Sequence, residues 1–165
     1  MVLVNDGTPV VVACPEADGF KLTPQALEAA ITPRTKWVLL NTPSNPTGAM
    51  YGADELRALG EVLARHPQVW LMTDEIYEHL AYGQARHASP AAVVPALAAR
   101  TLTINGVSKA YAMTGWRLGY AGGPKALIKA MATLISQSTS CVSAISQSAA
   151  RVALTADQRL SLIHI

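Results

Sequence analysis

An α/β fold with a largely parallel, fully covered sheet is what this sequence predicts, and three observations carry it. Short apolar runs rich in β-branched residues recur along the chain. Segments of helical periodicity stand between them, and such alternation implies parallel strands joined by helical crossovers. Half of the residues are hydrophobic and 15% are charged, which excludes a disordered chain and provides for a large core.

The elements follow in order. Val10 to Ala13 and Lys36 to Asn41 (KWVLLN) read as buried strands, as do Val69 to Thr73 (VWLMT) and Thr101 to Asn105. Between the first two lies TPQALEAAI, where Thr23 can cap, Pro24 suits the first helical position, and Leu27 and Ile31 share a face. Between the next two, ADELRALGEVLARH sets Leu56, Leu59 and Leu63 on one side and most of its charges off it. That segment is an amphipathic helix. Gln84 to Ala99, with Pro90 and Pro95, reads as a long loop or short helix. RLGYAGG after Arg117 reads as a strand, PKALIKAMATLISQ as a helix, and SCVSAISQSAARVAL as a second helix capped by Ser140 and ending near Arg159.

Composition excludes several classes of function. The net charge is +2 and the 13 basic residues are scattered rather than striped, which argues against nucleic acid and anionic membrane as partners. No apolar run approaches the roughly 18 residues of a membrane span. Cys14 and Cys141 stand far apart without a CxxC or Cys/His cluster, so neither a disulfide framework nor a metal site is expected, and the cytoplasm is the natural compartment.

In open α/β sheets, ligands bind beyond the carboxyl ends of the strands. The polar residues just after the apolar runs are therefore the candidates. TPSNPTG (Thr42 to Gly48) follows KWVLLN, DEIYEHL (Asp74 to Leu80) follows VWLMT, and GVSK with TGWR follows TLTIN. Singly, each has an ordinary reading. SNPTG is a turn, Asp74 an acid at a strand end, Tyr77 a core ring, and Lys109 and Arg117 solvated charges. Together they bring an amine, a carboxylate, a phenol, an amide and a guanidinium to one edge. Pyridoxal phosphate has a use for each of them, with its aldehyde, pyridine nitrogen, ring oxygen and phosphate.

The motifs SNPTG at Ser44 to Gly48, DEIYEHL at Asp74 to Leu80 and SKAYAMTGWRLGY at Ser108 to Tyr120 resemble those of class I aminotransferases of the fold-type I pyridoxal-phosphate family, most closely the bacterial aspartate aminotransferase branch. The resemblance runs from about Val2 to Thr155. It implies a three-layer α/β/α sandwich with a mostly parallel sheet, the major domain of that family, here incomplete. It implies pyridoxal 5'-phosphate as cofactor and an amino acid and a 2-oxo acid as substrates, with L-aspartate and 2-oxoglutarate first among them. Lys109 matches the lysine that condenses with the cofactor aldehyde, and burial among apolar neighbours would favour its neutral form. Asp74 matches the acid beside the pyridine nitrogen. Tyr77 matches the phenol donating to the ring oxygen, with Asn45 as second donor and as a contact for the substrate carboxylate. Arg117 matches the phosphate fork, and Ser108 adds a hydroxyl to the phosphate. Gly106 departs from the pattern of family members that carry a phosphate-binding serine three residues before the lysine.

Residues 1–159 then read as part of a cofactor-binding large domain, with an N-terminal portion and a C-terminal small domain lying outside the sequence. Trp37 and Trp70 sit in strands and do not match the family's ring-stacking aromatic residue. The stretch LSLIHI, residues 160–165, reads as a non-native tail. In the family, whole chains pair as homodimers, and the fragment alone is expected to be inactive. Rival readings are an aminotransferase-like sensor domain of a DNA-binding regulator, an aspartate/prephenate or aromatic aminotransferase, and, from VWLMTDE, a P-loop ATPase. The last fails because no GxxxxGK[ST] occurs.

Overall fold

The computed structural model of the chain describes residues 2–158. Four strands form one sheet: β1 (Trp37–Asn41), β2 (Trp70–Asp74), β3 (Thr101–Gly106) and β4 (Gly119–Gly122), lying side by side in chain order. β1, β2 and β3 are parallel, with Asn41 opposite Asp74 and Asp74 opposite Ile104. β4 closes the edge antiparallel, with Gly106 opposite Gly119. The sheet is therefore α/β and mostly parallel, as the alternation predicts.

The helices are α1 (Pro24–Ala30), α2 (Ala53–Ala64), the single turn α3 (Pro90–Val93), α4 (Lys125–Ser138) and α5 (Ala144–Thr155). α1 starts as its sequence requires, with the Thr23 hydroxyl accepting from the Ala26 amide at 3.2 Å. At the start of α2, Glu55 reaches back to accept from the Gly52 amide at 2.7 Å and pairs with Lys21 at 2.8 Å. Leu56, Leu59, Val62 and Leu63 of α2 join Leu22, Leu27, Val69, Leu71 and Leu97 in the core, with Val38 and Leu40 packed against them. Arg100, just before β3, donates to the carbonyls of Leu63, His66 and Val69 at 2.6, 2.9 and 2.5 Å. One guanidinium thus satisfies three carbonyls where α2 turns into β2, groups that a helix end otherwise leaves to water.

Three expectations are corrected. Val10 to Ala13 is not a strand. A strand exists only by pairing, and among the described residues none lies beside this run, so Val11 is 92% exposed while Val12 and Cys14 lean on the core. The sheet is not fully covered within this chain. α1, α2 and the turns after α3 cover one face, whereas Leu39 on the other is 59% exposed. Ser140 does not cap α5; it takes a left-handed φ of 66° and its amide closes α4 on the Ile135 carbonyl at 2.9 Å. Ser143 precedes α5 instead, without a side-chain cap. The expected helix end at Arg159 and the tail at 160–165 lie outside the described residues.

Candidate active site

β1 ends at Asn41, whose side chain ties two strand ends together. Its amide donates to the Asp74 carbonyl at 3.1 Å, and its oxygen accepts from the Asn45 amide N–H at 3.0 Å. The Thr42 amide also donates to the Asp74 carbonyl, at 3.0 Å. The SNPTG turn then folds over, with Gly48 at φ 72° donating to Ser44 at 2.8 Å and cis peptides before Pro43 and Pro46. A side chain at Gly48 would be strained, which accounts for the glycine. This turn holds Asn45 on the surface, where its side-chain amide donates to the Tyr77 hydroxyl at 3.1 Å.

Asp74, half-buried, closes β2, and one carboxylate oxygen accepts from the Ile76 amide at 3.1 Å. That bond fixes the carboxylate at the strand end. Three residues on, Tyr77 has its oxygen engaged by Asn45, leaving its own O–H to donate outward. The ring of Tyr77 lies 5.9 Å from the Lys109 ammonium nitrogen. Asn45, Tyr77 and Lys109 are therefore brought together from the ends of β1, β2 and β3. The burial expected of Lys109 is absent: its side chain is exposed, three residues past the last residue of β3.

Ser108 is half-buried beside Lys109. Arg117 is exposed at a left-handed φ of 54°, its guanidinium donating to the Thr114 carbonyl at 3.0 Å, and it precedes β4. It lies on the same edge of the sheet, because Gly119 pairs with Gly106. A Cβ on Gly106 would lie 3.1 Å from the Leu118 carbonyl oxygen and one on Gly119 3.3 Å from that of Asn105. The two glycines allow β3 and β4 to close at this point. Gly115, by contrast, faces open space.

The sequence reading missed a polar network behind these residues. Glu75 is almost wholly buried and meets His87 and Ser89; Glu78 accepts from Asn105 at 2.7 Å. Tyr111 reaches His79 at 3.4 Å. Burial, with the Glu78 charge behind it, holds the phenols of Tyr111 and Tyr120 above their ordinary range. Three acids inside DEIYEHL were a signal that not all of them face a ligand, but the partners of Glu75 lie in a stretch that reads only as loop.

The model of class I and II aminotransferases matches residues 2–162. The chain belongs to that family. An aspartate aminotransferase of Rhizobium meliloti is 59% identical over 96% of this chain, and an aspartate/prephenate aminotransferase of Cereibacter sphaeroides 61% identical over the same share. The chain spans 38% and 40% of those relatives' lengths. The crystal structure of the aspartate aminotransferase from Rhizobium meliloti superposes with a TM-score of 0.95 at 60% identity, over 98% of this chain and 40% of that one. An aromatic aminotransferase from Pyrococcus horikoshii, 34% identical, gives 0.92 over 99% of this chain and 43% of its own. These aminotransferase relatives lend no support to the sensor-domain reading. Among the described residues, no helix is long and apolar enough to cross a membrane.

Proposed function

We propose that this family member is the cofactor-bearing part of a pyridoxal-phosphate-dependent transaminase that exchanges an amino group between L-aspartate and 2-oxoglutarate. The observation that carries the reading is the convergence of Lys109, Tyr77 and Asn45 from three parallel strand ends beside Asp74. Their chemistry fits pyridoxal phosphate: an amine for an aldehyde, a carboxylate for a pyridinium, a phenol for a ring oxygen, and Arg117 with Ser108 for a phosphate. When bound, that cofactor supplies the electron sink for carbon–hydrogen cleavage. The Asp74 carboxylate holds a proton on the ring nitrogen. The Asn45 amide, by donating to Tyr77, aligns the phenol and strengthens its outward O–H as a donor. Lys109 Nζ takes the proton from the substrate α-carbon and returns it, acting as base and then acid. The planar Arg117 fork suits two phosphate oxygens as a lysine would not. Asn45 also stands on the surface where a substrate carboxylate can approach it.

The relative named for both aspartate and prephenate supports a second reading, in which prephenate serves as amino acceptor. In either case the whole protein works as a homodimer in the cytoplasm. Two distant free cysteines and the exposed apolar faces of α4 and α5 support this.

The test exchanges the matched segment of the Rhizobium meliloti enzyme for residues 2–158. The hybrid should transaminate aspartate with 2-oxoglutarate, and comparison with prephenate separates the two readings. Borohydride trapping with pyridoxal phosphate and peptide mapping should mark Lys109, and Lys109→Ala should abolish the mark. A mark on Lys125 or Lys129 instead would overturn the assignment.

A further inference from the structure

The segment from Glu75 to Ser89 leaves β2 and returns to α3 with both ends fastened to one carboxylate. Glu75 is 1% exposed. One of its oxygens lies 2.8 Å from His87 Nε2 and the other accepts from the Ser89 hydroxyl at 3.0 Å. A carboxylate so far from water is tolerated only when its oxygens are paired, and here both are. His87 Nδ1 is buried without a hydrogen-bond partner among the described residues. The ring is therefore held to Glu75 through Nε2.

Tyr77 stands two residues after Glu75, inside the closed segment. A second tie fastens the same turn to the lysine loop. Asn105 donates to Glu78 at 2.7 Å while its oxygen accepts from the Gly106 amide at 2.7 Å, three residues before Lys109. Glu75, Glu78 and His87 each offer a ligand atom within 4.8 Å of the others. Both oxygens of Glu75 are already occupied, however, so the cluster is built to hold the chain and not a cation.

We infer that Glu75, His87 and Ser89 form a clasp that sets the position of the Tyr77 hydroxyl against Asn45 and Lys109. They are positioning residues, one shell behind the proposed cofactor contacts, and the inference rests on the transaminase reading for its functional meaning. Without the clasp, the Glu75 to Ser89 segment keeps only the Asn105–Glu78 tie and the Asn45–Tyr77 contact between its ends, and the position of Tyr77 relative to the amine is less closely held.

The experiment uses the hybrid with the Rhizobium meliloti enzyme and compares His87→Leu, His87→Gln and Ser89→Ala with Leu27→Ala, a core control in α1. Two amides inside the turn report on the clasp: Glu78 and Leu80, which donate to the Glu75 and Tyr77 carbonyls at 2.8 Å each. At equal loss of thermal stability, His87→Leu should speed hydrogen exchange at these amides at least tenfold over Leu27→Ala. It should also move the pH midpoint of the absorbance of pyridoxal phosphate bound by the hybrid. His87→Gln, whose amide can donate to Glu75, should restore both. Should His87→Leu fail to fold, Ser89→Ala, which removes one of the two bonds, is read in the same way. Exchange at Glu78 and Leu80 no faster than in the control would overturn the clasp. Failure of the unsubstituted hybrid to react with pyridoxal phosphate at Lys109 would instead sink the transaminase reading, while the exchange comparison still decides the clasp.

Discussion

The positions of Asp74 and Lys109 at strand ends were legible because both follow clear apolar runs. Glu75 was not. Its neighbour has the same charge, and its partners come 12 and 14 residues later, a separation no local pattern marks. In the hybrid enzyme, Asp74→Asn should keep the cofactor bound and lower kcat by orders of magnitude, with KM for aspartate little changed. An unchanged kcat would remove Asp74 from the chemistry. Tyr51 allows a test that needs no cofactor. It is buried, its oxygen accepts from the Leu22 amide at 2.6 Å, and burial raises its phenol above the ordinary 10.0. The folded state thus holds this proton more tightly than the unfolded chain does. The resulting stability is complete below pH 10 and is lost as pH climbs through the raised value. Tyr51→Phe should cost about 1–3 kcal/mol at neutral pH, because the Leu22 N–H is stranded, and should flatten the alkaline limb of urea-unfolding stability between pH 9 and 11 (roughly one unit either side of the ordinary phenol).

At the level of elements, α2 was readable because its leucines recur with helical spacing and all of them are buried. The run at Val10 misled because a strand is defined by its neighbour, which hydropathy does not encode. Gly60 shows two local rules in conflict. In mid-helix, Ala is favoured over Gly by about 0.5–1 kcal/mol. Yet a Cβ at Gly60 would meet the Val94 methyls at 2.8 and 2.9 Å. Valine is stiff at its first side-chain torsion, so it does not swing aside, and overpacking costs about 1–3 kcal/mol. Gly60→Ala should therefore lower stability by about 1 kcal/mol in chemical unfolding, the difference of these two effects. A gain in stability would show that the turn after α3 yields freely. Thr23→Ala, which removes the α1 cap, should cost about the same, roughly 1 kcal/mol.

Across the whole molecule, α4 and α5 carry apolar side chains with nothing packed on them among the described residues. Leu134 is 71% and Ile145 74% exposed. Exposed apolar surface of this kind favours association. The isolated chain should sediment as oligomers at micromolar concentration, and Leu134→Glu with Ile145→Glu should shift it toward monomer. A monodisperse monomer without those changes would contradict this. The strand arrangement has a further consequence, in time rather than in space. Each strand of the sheet lies beside the one synthesised just before it. Among the described strands none must wait for a later one to be inserted between it and its predecessor, so a ribosome can release this part of the sheet edge by edge, and β1, β2 and the helix between them can pair while Lys109 is still in the exit tunnel. Addition in chain order covers each newly made strand edge as soon as the next strand emerges, which limits the interval in which that edge of a nascent chain could pair with a neighbouring polypeptide.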